Sequence, residues 1–372
     1  MGIKVISVKR LLTFILKLGV SGALIGYLVW DALRNDAFAL LIREDKHWGL
    51  LLAALFFFLA SAIFCFLRWG YLVRALGVPF SHGEALRLGM IGYLVNLAPM
   101  GVVGGDLVKM YLLARLQRST PAEAVASVLV DRAIGLYMLF AVSSLAILWT
   151  GFWKGVSPDI VWLCYMVWAI ALGGLIAALL ILVPPSWPSW IGTTVASIPW
   201  VGGPAVRLGQ AIRRYRAAWR VLLMCITLTF LLDIAYATAV YLAAKALFAQ
   251  VPSWKMHLVI APLGNSASAI PLPMGPFEFV LDRLYLVVPT EAGGSMQPGQ
   301  GLVVALAVRL FSVLLAMAGA VYFLGVQPQL LASARQIERL GPTESNQSGT
   351  DDQMDRVRPP QEKPIRCSLA AK

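Results

Sequence analysis

Gly92-Tyr93-Leu94-Val95-Asn96-Leu97-Ala98-Pro99-Met100-Gly101-Val102-Val103-Gly104-Gly105-Asp106 is the stretch that decides the fold. It lies inside an apolar run from Leu86 to Arg115, yet Pro99 and the glycines interrupt that run near its middle. Proline removes a backbone donor and glycine weakens a helix, so a single helix does not run through the break. Each half is about 12 residues, roughly 18 Å of helix against about 30 Å of hydrocarbon, too short to cross a bilayer alone. The economical solution is a re-entrant hairpin that enters and leaves by one face, its unpaired backbone turned to protein or to a water-filled cavity. A second apolar stretch, Leu258 to Val288, is broken by Pro271-Leu272-Pro273-Met274-Gly275-Pro276 and has the same form.

Composition agrees with a bilayer. Of 372 residues 59% are hydrophobic and 13% charged, far from soluble usage. The formal charge of +12 does not indicate nucleic acid, because Lys and Arg sit between apolar segments and not along one basic face. Six segments are long and apolar enough to span: Leu11 to Trp30, Trp48 to Leu67, Ala124 to Trp149, Val161 to Val183, Val221 to Ala244 and Leu302 to Val326. The first follows Lys4, Lys9 and Arg10 but exceeds a signal-peptide core, so it is expected to stay as a span. The fold class is therefore all-α and polytopic, with about six transmembrane helices and two re-entrant broken-helix hairpins. With a cytoplasmic N-terminus, Arg68, Arg74, Arg115, Arg118 and the basic loop from Arg207 to Arg220 all fall inside, as does the C-terminus. That places both termini in the cytoplasm and the chain in the cell membrane.

The two broken segments belong to an internal repeat. Pro99-Met100-Gly101 followed by Asp106 and Tyr111 parallels Pro273-Met274-Gly275 followed by Glu278 and Tyr285. Downstream, Asp131-Arg132 parallels Val308-Arg309. The charge placement makes one hairpin dip from the inside and the other from the outside, an inverted repeat of the transporter kind. The expected organisation is a cytoplasmic N-terminus over 1–10, a transmembrane domain over 11–326 and a polar, largely disordered cytoplasmic tail over 327–372. Within the domain, repeat 1 covers about 86–150, repeat 2 about 258–326, and a tryptophan-rich basic segment over 184–220 lies along the cytoplasmic interface.

Charges inside a membrane are costly unless paired or functional. Arg132 and Arg309, at matching repeat positions, are candidates to hold an anionic headgroup, with Asp106 and Glu278 as their partners when the site is empty. Free N–H groups at a broken helix would add to such a site; the plainer account is that Pro and Gly make the turn and Asp106 caps the next helix. A static ion pair that fixes packing is the plain counterpart for the arginines. Asp131, beside Arg132, is a local partner or faces water at a hairpin mouth, as is Asp282 beside Arg283. Asp233, near the centre of the fifth span, is a candidate coupling residue for protons or a partner for an arginine. No nucleophile–base arrangement, metal-ligand spacing, disulfide framework or nucleotide loop is present, so neither metal nor cofactor is implied.

Taken in order, Arg68-Trp69, Asn96, Pro99, Gly101, Gly104, Gly105-Asp106, Asp131-Arg132, Pro273, Gly275 and Glu278 resemble the transmembrane region of lysylphosphatidylglycerol synthases. That family of flippase-like membrane proteins includes stand-alone members and the membrane parts of some archaeal glycosyltransferases. The resemblance covers roughly residues 10 to 326; Met100, Met274 and Pro276-Phe277 depart from its glycine-rich loops. It implies movement of an anionic, aminoacylated or polyprenyl-linked lipid between leaflets, with the motif residues and Arg309 at the site. No aminoacyl-transferase domain follows the last span, so the expectation is a stand-alone transporter, not a synthase. Two other classes remain in view. A membrane transferase acting on a lipid-linked donor would need Asp106, Asp131 or Glu278 to converge as base or metal ligand. An accessory subunit would instead serve a lipid-modifying enzyme or glycosyltransferase of a lipid or glycan pathway.

Overall fold

The computed structural model describes residues 8–34, 46–96, 101–116, 121–154, 157–182, 213–270, 272 and 274–339, with backbone alone at several helix ends. The chain divides into two compact units, Met1–Ala320 and Val321–Lys372. In the first unit the helices are α1 (Val8–Arg34), α2 (Trp48–Ala75), α3 (His82–Asn96), α4 (Gly101–Leu116), α5 (Pro121–Thr150), α6 (Pro158–Leu182), α7 (Trp219–Leu247), α8 (Trp254–Ser266), α9 (Pro276–Val287) and α10, which begins at Gln300. The second unit takes up the end of this last helix, which runs to Arg339. No strand occurs among the described residues.

Local chemistry sets the helix ends. Gly77, at φ +85°, lets the chain turn left-handed after α2 while its N–H bonds the Arg74 carbonyl at 2.9 Å. Ser81 and Glu84 then close a reciprocal capping box, 2.7 and 3.1 Å, that opens α3. Asp282 Oδ1 accepts the N–H groups of Gly299 and Leu302, at 3.1 and 3.0 Å, and so caps the start of α10 from the helix before it.

The order long, long, short, short, long over α1 to α5 recurs over α6 to α10. The second members, α2 and α7, make the most extensive helix contact of those described. Each repeat's last helix packs on the other repeat's first short arm. α5 lies on α8. On α10, Gly319 lies so close to the Met90 carbonyl of α3 that a Cβ would stand 3.0 Å from it, and Tyr93 Oη donates to Ser312 Oγ at 3.3 Å. One large apolar core joins α2, α5, α7, α8, α9 and α10, with Cys164 and Val167 of α6 packed into it. The rest of α6 leaves Trp162, Leu172 and Leu180 exposed, which costs nothing where the surroundings are lipid.

Among the described residues five helices are long and apolar enough to cross a membrane: Trp48–Ala75, Ala122–Thr150, Pro158–Leu180, Trp219–Leu247 and Gln300–Val321. The sixth expected span, Leu11 to Trp30, falls within α1, whose side chains before Gly22 lie, Gly19 apart, outside the described residues. α3 and α4, of 15 and 16 residues, pack on each other, as do α8 and α9, of 13 and 12. At about 1.5 Å per residue each is shorter than the roughly 30 Å hydrocarbon core. The last helix continues past Val326, so the expected tail begins within it, and residues 340–372 lie outside the described residues. Most of the expected interfacial segment 184–220, its residues 184–212, does too. Its described end holds to the membrane helices through Tyr215 Oη, which donates to the Leu72 carbonyl at 3.2 Å, and Arg214, which pairs with Glu123 at 2.6 Å.

Candidate functional site

Two arginine–carboxylate pairs, one in each repeat, are built from the same parts. An acid on the second short arm meets an arginine on the long helix that follows. In the first, Arg132 of α5 donates from Nε and Nη2 to the two oxygens of Asp106 on α4, at 2.6 and 2.7 Å, a bidentate fork. In the second, Arg309 of α10 donates from Nε and Nη2 to Glu278 Oε1, at 3.0 and 2.5 Å. The other oxygen, Oε2, accepts the Gly275 N–H at 2.8 Å and closes the first turn of α9. Gly275 sits at φ +110°, where an L side chain is strained, and a Cβ there would also stand 2.7 Å from Leu24 of α1. Glu278 thus fixes the turn and holds the arginine with one carboxylate.

The surroundings of the pairs differ. Arg132 and Asp106 are 44% and 14% exposed at the side chain, whereas Arg309 is 28% exposed and Glu278 fully buried. Both arginines line one cavity of about 260 Å³ that lies between the repeats. Its wall also carries Lys109, Asn96 and Asn265, and aromatic rings from Phe58, Tyr93 and Tyr236. Such a chamber, cationic on an apolar frame, suits an anion attached to something oily.

Lys109 is 6% exposed, and its Nζ lies 5.4 Å from the centre of the Trp69 ring, within cation–π distance. Among the described residues no carboxylate lies within ion-pair distance of it. Its stem is pressed on the glycine crossing of the first hairpin, where a Cβ on Gly92 would stand 2.7 Å from Lys109 Cε. On the opposite arm a Cβ on Gly105 would run into Asn96 Oδ1 and the Gly92 carbonyl. Gly105→Val is therefore expected to pry the arms apart at a cost of about 1–3 kcal/mol. A thermal midpoint in detergent equal to that of the parent would contradict this close crossing.

The expected site residues divide three ways. Asn96, Arg132, Glu278 and Arg309 line the cavity, Asp106 pairs with Arg132, and Gly104 and Gly105 are buried, Gly105 at the arm crossing. Gly101 opens α4 and Gly275 caps α9, while Pro99 and Pro273 lie outside the described residues. Asp131 is a correction. It is neither a partner of Arg132 nor open to water, but is buried and pairs with Arg68 of α2 at 2.8 Å. Neighbouring residues on a helix point about 100° apart, so when Arg132 faces the cavity Asp131 faces the core. Arg68 also donates to Thr229 of α7 at 3.2 Å, which joins three helices. Asp282 likewise does not serve Arg283: it caps α10, and Arg283 reaches Asp31 at 3.8 Å and Tyr27 Oη at 3.2 Å. Asp233 is buried and does not line the cavity; the charge of Arg68 acts on it, and among the described residues its Oδ2 has no hydrogen-bond partner. Lys109 and Asn265 are lining residues that sequence reasoning missed. The available signals were a lone lysine inside a half-helix too short to cross and an asparagine near the end of the first arm of each hairpin.

Among the described residues no group of three His, Cys, Asp or Glu could hold a metal ion. No curated protein and no solved structure matches the chain. The family model described as lysylphosphatidylglycerol synthase TM region matches residues 14–320, which contain both ion pairs and the whole cavity. The description is of a transmembrane region and not of a catalytic domain, and it ties the chain to lipid handling. With its apolar helices, the chain is a multi-pass membrane protein and belongs to the lysylphosphatidylglycerol synthase TM region family.

Proposed function

We propose that the protein is a lipid flippase or transporter, without enzymatic activity of its own, that moves an anionic, aminoacylated or polyprenyl-linked lipid between leaflets of the cell membrane. The observation that carries this is the single cavity to which each repeat contributes an arginine held by its own carboxylate. A guanidinium in a membrane must be paired, and a lipid phosphate offers the same two-oxygen acceptor that Asp106 gives Arg132. A phosphate that shares a guanidinium with its carboxylate leaves neither acid unpaired while a headgroup passes.

The short helix pairs α3/α4 and α8/α9 fit re-entrant hairpins, and three crossings per repeat would make the two repeats inverted, with both termini cytoplasmic. Rocking of one repeat against the other would then open the cavity to each side in turn. A transferase reading has less support, because Asp106, Glu278 and Asp131 are each committed to an arginine and none stands free as a base. Arg132→Gln is expected to lower headgroup translocation at least tenfold while the protein stays folded in detergent, since its partner Asp106 keeps access to water. Full translocation by that variant would remove Arg132 from the path.

A further inference from the structure

The cavity is not electrically neutral when empty. Arg132 and Arg309 are each matched by a carboxylate, which leaves Lys109 as an unmatched positive charge among its described lining residues. Lys109 belongs to the first repeat alone: its counterpart three residues after Glu278 is Leu281, a core residue. The pseudo-symmetry that gives each repeat an arginine pair therefore stops at this ammonium, and the empty chamber carries one surplus positive charge.

From this count we infer that the cavity takes a lipid whose headgroup carries a single negative charge, a phosphodiester, with Lys109 as a direct ligand of the phosphate. The inference rests on the transport reading above and narrows its substrate class. One phosphodiester neutralises Lys109 and leaves both arginine pairs balanced, so the filled site is uncharged. A diphosphate-linked lipid brings at least two charges and leaves one unmatched in a low-dielectric wall, where an uncompensated charge is strongly unfavourable. The cavity, of about 260 Å³, has room for a headgroup phosphate. Trp69 holds the ammonium from behind, and the stem packed on Gly92 leaves it little freedom to swing away. Two sources share the chemistry, a glycerophospholipid and a polyprenyl-phosphoryl sugar.

The test is binding to the full chain in nanodiscs of neutral lipid. Short-chain phosphatidylglycerol, a polyprenyl-phosphoryl hexose and a polyprenyl diphosphate serve as probes, with the parent, Lys109→Gln and Lys109→Arg. At least one diester is expected to bind the parent ten times more tightly than the diphosphate, and which one binds identifies the source. Lys109→Gln should weaken that diester about ten- to a hundredfold, the value of a lost charge-assisted contact, and Lys109→Arg should restore most of it. Diphosphate binding as tight as that of either diester, or unaltered diester binding by a folded Lys109→Gln, would overturn the inference. Should Lys109→Gln not fold, the parent's preference together with Lys109→Arg decides. Diester binding without translocation leaves this inference standing and removes the transport reading; binding of no probe removes both.

Discussion

Asp131→Ala is expected to destabilise the protein by about 3–5 kcal/mol, because it strands a buried guanidinium. Arg68 and Asp131 are each only 6% exposed at the side chain and 2.8 Å apart. Thr229 and the Cys65 sulfur, at 3.2 and 4.0 Å, are neutral acceptors and do not replace the lost charge. The pair joins α2 to α5 while Thr229 brings in α7, so its loss loosens the interface on which the two repeats meet. Thermal unfolding in detergent checks this. Replacing both members, Arg68→Met with Asp131→Leu, should recover part of the loss, since neither member of the pair is then stranded, while buried Asp233, whose charge Arg68 also offsets, keeps the recovery incomplete. If the single variant proves as stable as the double, the pair does not hold the helices together.

Arg309→Gln is expected to abolish translocation and also to cost stability, unlike its counterpart Arg132→Gln. The difference follows from burial. Glu278 is fully buried, and without Arg309 its one remaining donor among the described residues is the Gly275 N–H at 2.8 Å. A carboxylate left so would lose about 3–5 kcal/mol of support and pull on the turn that opens α9. Restoring neutrality with Glu278→Gln in the same chain should return stability but not transport, because Gln still accepts from Gly275 while no guanidinium remains for the headgroup. Transport regained in that double variant would mean that Arg309 only fixes the fold.

Much of this arrangement was legible in the sequence, for identifiable reasons. Pro99, Pro273 and their glycines lie within apolar runs, where a break has few benign explanations, and Arg132 and Arg309 follow them at comparable distances. What failed was helix phase. Asp131 and Arg132 are adjacent in the chain, and which of them faces the cavity depends on how α5 lies against α2, 63 positions earlier. Asn265 was hidden by the 3-10 turn Ala267–Ala269, which lengthens the second break so that this residue does not align with Asn96. Nothing in the sequence separates Lys109 from a long-stemmed lysine that can reach an interface; its packing on Gly92 and Trp69 shows it held inside. The family match, over residues 14–320, agrees with the stretch that the motifs delimit.

The most direct test of the account is headgroup translocation of a labelled anionic lipid in proteoliposomes that contain the native chain, against protein-free vesicles and an Arg132→Gln/Arg309→Gln chain. The account predicts translocation above the protein-free rate by the native chain and a return to that rate in the double variant. A native rate no greater than that of protein-free vesicles, for diester, monoester and diphosphate lipids alike, would contradict it.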